Sequence, residues 1–174
     1  MVTQCVAADQ NSGSTANGVH KWNIQVQQVD AGDVNLDPAF QVAIYENLIT
    51  ELEKTKKFEQ VYRSGDRRAS AQNDLLVLKI EVKKFDAGSE TKRAVTTVAG
   101  ATKLKVEYSL RTPGGQVVKQ EVVNASVRFI GNNMRVTHNL ASSIAKAVKK
   151  STIPETSASM SQYMQQLAQI DLPL

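Results

Sequence analysis

Apolar and charged residues alternate along two long stretches of the chain. Leu76, Leu78, Ile80 and Val82 interleave with Lys79, Glu81 and Lys83; Leu104, Val106, Tyr108 and Leu110 interleave with Lys103, Lys105 and Glu107. Successive side chains of a strand point to opposite faces, so this pattern predicts a sheet with one oily and one solvated face. A shorter run, Trp22, Ile24 and Val26 against Asn23, Gln25 and Gln27, predicts a first strand, and Phe58 to Tyr62 a short second one. Pro113-Gly114-Gly115 predicts a tight turn, with proline presetting one torsion and the glycine after it taking the positive φ. The last strand then spans Gln116 to Phe129, where the irregular phase of Val117, Lys119 and Val123 suggests a bulge.

Helices show a different period. Asp37-Pro38 is a favoured N-cap followed by proline at the first helical position, and Phe40, Ala43, Ile44, Leu48 and Leu52 follow at helical spacing. This predicts a helix over 38–56. Gly131-Asn132-Asn133 breaks the sheet, and Val136, Leu140, Ile144 and Val148 form a stripe four residues apart that predicts a second helix to about Lys150. Ser157 to Gln169, with Met160, Met164 and Leu167 on one side, predicts a third. The order β-α-β-β-β-β-α plus a C-terminal helix fits an α+β fold. It is a two-layer sandwich, a mostly antiparallel sheet of about five strands with two main helices on one face. Residues 1–20 read as a flexible polar tether, 21–151 as one sandwich domain and 152–174 as a helical extension.

Charge changes this picture little. The net charge of +4 over 174 residues is spread among interleaved acids and bases rather than gathered on one face, which speaks against a nucleic-acid partner. The densest basic spots, Lys54, Lys56 and Lys57, then Lys146, Lys149 and Lys150, fall at predicted helix C-termini, where cations complement the dipole. No run of about 18 apolar residues is present to span a membrane as a helix.

Candidate chemistry is sparse. The single cysteine, Cys5, excludes an internal disulfide and a thiolate zinc cluster, and His20 and His138 have no carboxylate at ligand spacing. No nucleophile elbow, phosphate-binding glycine loop or dinucleotide fingerprint occurs. Asp30, Asp33 and Asp37 read as turn and cap residues, because the loop lacks the central glycine and bidentate glutamate of a calcium hand. The expectation is a protein that is not an enzyme and uses no cofactor or metal. Cys5 ahead of a small-residue polar linker also resembles the start of a mature lipoprotein. Gln4 stands where a lipobox wants a small residue, and no signal peptide is visible in the chain as given.

The residues also carry a family resemblance. Asp37-Pro38-Ala39-Phe40, Phe85-Asp86-Ala87-Gly88-Ser89, Arg93, Gly100-Ala101, Thr112 to Val118 and Gly131-Asn132-Asn133 occur in order. So arranged, they resemble a bacterial envelope domain known as domain of unknown function 4410, often found in lipoproteins. More distantly, the chain is similar to the periplasmic α/β domains of the curli-secretion lipoprotein and of the Tol-system periplasmic protein. The resemblance covers about residues 22–150. The glycine-rich loop of the family is reduced here to Gly100-Ala101. The resemblance implies a non-catalytic, envelope-associated binding or assembly module, in the periplasm or anchored to the outer membrane. Its partners would be other envelope proteins or its own copies, and Cys5 a membrane tether. It carries over no catalytic residue.

Contact surfaces are expected in the connection from Asp86 to Gly100, including Gly88, Arg93 and Gly100, and in the C-terminal helix. The competing expectation is a small-ligand-binding or enzymatic domain using a groove near residues 86–100. There Arg93 would contact an anion and converge with Tyr108 and a buried carboxylate.

Overall fold

The apolar positions of the two long alternating stretches turn to the same side. In a computed structural model, which describes residues 21–89, 101–127 and 133–153, the chain runs in a fixed order. It passes through β1 (Asn23–Asp30), α1 (Pro38–Thr55), β2 (Val61–Arg63), β3 (Leu75–Asp86), β4 (Thr102–Arg111), β5 (Val117–Val127) and α2 (Arg135–Lys150). The expected element order is therefore present. The five strands form one sheet in the order β2-β1-β3-β4-β5. The two long ladders, β3 with β4 and β4 with β5, are antiparallel, whereas β1 runs parallel to both β2 and β3. That parallel half follows from the connection: α1 carries the chain back across the sheet between β1 and β2, a βαβ unit, which a hairpin cannot do.

Both helices pack on one face. Leu76, Leu78, Ile80 and Val82 of β3 and Leu104, Val106, Tyr108 and Leu110 of β4 are buried in a single cluster with Ile44, Leu48 and Leu52 of α1. Val136, Leu140, Ile144 and Val148 of α2 complete it. Lys79, Glu81, Lys103 and Lys105 are exposed on the other face. The one-sided sheet is thus as expected, and burial of these aliphatic side chains is worth about 1.5–3 kcal/mol each relative to exposure.

The helix ends show why they begin and stop. Asp37 Oδ1 accepts the Ala39 N–H at 2.7 Å, with Pro38 opening α1, and Lys56 terminates it in a left-handed conformation at φ 54°. Lys57 then reaches across to α2. Its Nζ donates to the carbonyls of Val148 at 3.0 Å, Lys149 at 2.9 Å and Ser151 at 2.5 Å, closing the C-terminal end of that helix. Asn47 Nδ2 donates to Thr137 Oγ1 at 2.9 Å, a second bond between the helices. Met134 occupies the cap position of α2 and makes no capping side-chain bond. Gly131 and Asn132 lie outside the described residues.

Two local details differ from expectation and one agrees with it. The positive φ of the Pro113 turn falls at Gly115 (φ 83°), not Gly114, and Gly115 N–H donates to Thr112 O at 2.9 Å. This is a type I turn followed by a left-handed glycine, a common form of three-residue hairpin loop. The β4–β5 register slips between Leu110 and Arg111, which puts the suspected bulge of β5 at Val118. The second strand is Val61–Arg63 rather than residues 58–62, and the 64–73 connection that follows it is partly ordered. It contains a 3₁₀ turn at Ala69–Ala71. Tyr62, opposite Gln25 on the outer face, and Ala69 are both buried, apart from the main core, with the Arg68 guanidinium 5.9 Å from the Tyr62 ring. Among the described residues the outer face is therefore covered at its β2 end and open elsewhere.

Candidate functional site

The sequence singled out Cys5, Gly88, Arg93 and Gly100. Of these only Gly88 is among the described residues; Cys5, Arg93 and Gly100 lie outside them, as do the 1–20 tether and the helix expected at Ser157 to Gln169. Gly88 follows β3, and its N–H donates to Thr102 Oγ1 at 3.3 Å. Thr102, fully buried, donates in turn to Asn133 Oδ1 at 2.7 Å. A polar chain thus ties the end of β3 to the start of β4 and to the approach to α2. Phe40 and Phe85, rings 5.0 Å apart and tilted by 56°, fasten the same region to α1. Nearby, Lys84, Asp86, Lys103 and Lys105 line an open groove of about 350 Å³.

Tyr108 does not meet a buried carboxylate. Its ring lies in the core opposite Glu121 of β5, and its hydroxyl donates to Glu121 Oε2 at 3.2 Å. Burial, with the Glu121 charge beside it, pushes the Tyr108 phenol well above its ordinary range, so it stays protonated. Glu121 is solvent-exposed and is held below the usual carboxylate range by Lys119 first, then by Tyr108. Among the described residues no group of three or more His, Cys, Asp or Glu is placed to hold a metal ion. His138 is exposed on α2, its Nδ1 4.0 Å from Glu51 Oε1.

Two surfaces stand out from the residues upward. One is the β5 edge. Among the described residues, β5 pairs on one side only, with β4, which leaves an eleven-residue strand with an open rim. Lys119 and Glu121 lie opposite Leu110 and Tyr108, at positions of the helix-side face where Lys119 is half-buried and Glu121 exposed. Val117 and Val122 are 44% and 42% exposed. Inward-facing charges on an edge strand discourage indiscriminate pairing without closing the edge.

The other surface is the uncovered outer face. Here Lys83 bonds Glu81 at 2.5 Å and Glu107 at 3.0 Å, and Gln120 Nε2 donates to Glu107 at 2.5 Å. Gln120 first, then Lys83, hold the Glu107 carboxyl below its usual range, and the two glutamates hold Lys83 above its own. Glu81 and Glu107 of this network also line a groove of about 300 Å³ that crosses four strands, together with Gln27, Lys79, Arg111 and Gln120 among others. At the opposite edge, Val42 is 61% exposed beside a groove formed with Pro38, Tyr45 and Arg63 where β2 stops short. Arg63 and Glu46 close that groove as a two-pronged pair, one prong at 2.7 Å.

No family model matches the chain, and no curated protein matches it in sequence. Solved structures do share its fold. The PelC dodecamer from Paraburkholderia phytofirmans superposes with a TM-score of 0.54 at 13% identity, over 71% of this chain and 86% of PelC. A Xanthomonas campestris protein from a family of unknown function gives 0.51 at 12% identity, over 75% and 83%. A hypothetical protein from Chlamydia trachomatis gives 0.51 at 12% identity, over 74% and 96%. At such identities the fold is what is shared. The five-stranded sheet with two helices on one face is an architecture found in bacterial proteins, some of them of unknown function.

Proposed function

We propose that this chain is a non-catalytic, envelope-associated assembly module that presents the open sheet edge to further copies of itself. The observation that carries the reading is β5, a long strand that among the described residues pairs only with β4 and bears two exposed valines, Val117 and Val122. Open edges accept another strand, and head-to-tail contacts between copies generate rings when their rotation closes. A neighbour of the same fold, PelC, is a dodecamer, which supports self-association as a use of this architecture. The resemblance to domain of unknown function 4410, and the tether at residues 1–20 with Cys5 as its lipid anchor, belong to the same reading. The contact segment expected over residues 86–100, with Gly88, Arg93 and Gly100, belongs to the same reading.

Mass photometry of the full-length chain over a concentration series tests the assembly. A defined oligomer is expected, dissociated by the double substitution Val117→Lys, Val122→Lys. A wild-type chain that stays monomeric throughout removes the self-association. The anchor is tested separately by mass spectrometry of the protein from its host, where an unmodified Cys5 in a cytosolic fraction rejects it.

A further inference from the structure

We infer that the outer-face groove between β1 and β5 is a binding site for a small hydroxylated carboxylate, the chemistry of a sugar acid. The groove has a structural origin. Lys79 of β3 faces Ser109 of β4, which faces Gln120 of β5. On the other side of Lys79 the β1 register slips between Val26 and Val29, where Gln27 and Gln28 stand. One short side chain, Ser109, lies between two long ones, and a bulge displaces the strand beside them; together they make a depression in an otherwise filled row.

Its electrostatics are divided. At one end, the carboxylates of Glu81 and Glu107 are already engaged by Lys83. At the other, Arg111 and Lys79 have no ion-pair partner among the described residues. Arg111 Nε is moreover buried and has no acceptor among the described residues. A buried donor without an acceptor is destabilising, and a guanidinium turned toward an arriving oxyanion loses that penalty. Gln27, Gln28, Asp30 and Gln120 surround the same space with amide donors and carboxylate acceptors, and no aromatic side chain lines it. A ligand that fits carries one negative group for Arg111 and Lys79, and hydroxyls for the amides and carboxylates. A volume of about 300 Å³ suits a single small ring, at the lower end of small-ligand sites. The groove shares Gln120 with β5, but its two cations, Arg111 and Lys79, belong to β4 and β3, so its occupancy is read separately from self-association.

The test is a titration of the ¹⁵N-labelled full-length chain with sodium glucuronate, with glucose as the neutral control. It follows the Arg111 Nε–H resonance and the backbone amides of Ser109 and Gln120. Saturable shifts at all three are expected with glucuronate and not with glucose. Arg111→Gln should abolish them, and Lys79→Gln should weaken the apparent affinity by ~10-fold, the effect of about 1.4 kcal/mol. Linear, non-saturating shifts overturn the site. So do an equal response to glucose and an unchanged titration in Arg111→Gln.

Discussion

The two faces of this sheet obey different rules. On the helix-covered face, Leu78, Ile80, Val106 and Leu110 are buried within one cluster, and each depends on its neighbours for the exclusion of water. On the outer face, Lys79, Glu81 and Glu107 alternate with those same residues along the same strands, yet most keep contact with solvent. The covered face tolerates little because any lost methylene leaves a cavity. The open face tolerates much, and so it is where binding can be varied without endangering the fold.

The sharpest way to break this contrast is a neighbouring pair on one strand. Leu78→Ala should cost about 2–5 kcal/mol of stability, whereas Lys79→Ala should stay within about 0.5 kcal/mol. Urea unfolding of both variants checks it, and similar losses would mean that the faces are not distinct. Next in size is the cross-helix clamp. Lys57→Met removes three hydrogen bonds to the α2 carbonyls and should cost about 1–3 kcal/mol, seen as a lower urea midpoint with unchanged slope.

Tyr108 is where the two environments meet, an oily ring with its hydroxyl at a charged rim. Its phenol titrates higher in the folded chain than in the unfolded one. That contribution is therefore complete below the unfolded value of about 10 and is lost as pH climbs through the folded value. Urea midpoints measured from pH 8 to 11 should fall more steeply for the wild type than for Tyr108→Phe. At neutral pH, Tyr108→Phe should cost about 1 kcal/mol for the lost Glu121 bond. Smallest is the solvated pair at the β2 edge. Glu46→Gln should alter stability by less than about 0.5 kcal/mol, with the difference vanishing at high salt.

The helix-covered face was legible because burial repeats. Leu76 to Val82 and Leu104 to Leu110 carry a period of two, and Val136 to Val148 a period of four, so the fold class followed from patterning. The parallel half of the sheet was less legible, since nothing in the short Val61–Arg63 segment says which strand it joins. The β1 bulge did leave a trace: Ile24 and Val26 are two apart but the next buried residue is Val29, a slip of phase in the alternation. The outer groove left none. Lys79, Ser109, Arg111 and Gln120 are far apart in the chain, and only the strand register sets them side by side. The same holds for the Lys57 clamp, whose partners lie 91 to 94 residues away.

The position of β1 has a consequence for how the molecule is made. It leaves the ribosome first, yet its two flanks are occupied by strands synthesised later, β2 and then β3. Ile24 and Val26, fully buried at the end, must wait for that company. The β3-β4-β5 meander, in contrast, pairs with near neighbours in sequence and carries a low loop-closure cost. We expect nascent chains halted before Leu75 to expose a sticky first strand and engage chaperones, and refolding followed by pulsed hydrogen exchange to protect β4 before β1. Simultaneous protection of both would show that the early-born strand does not lag behind.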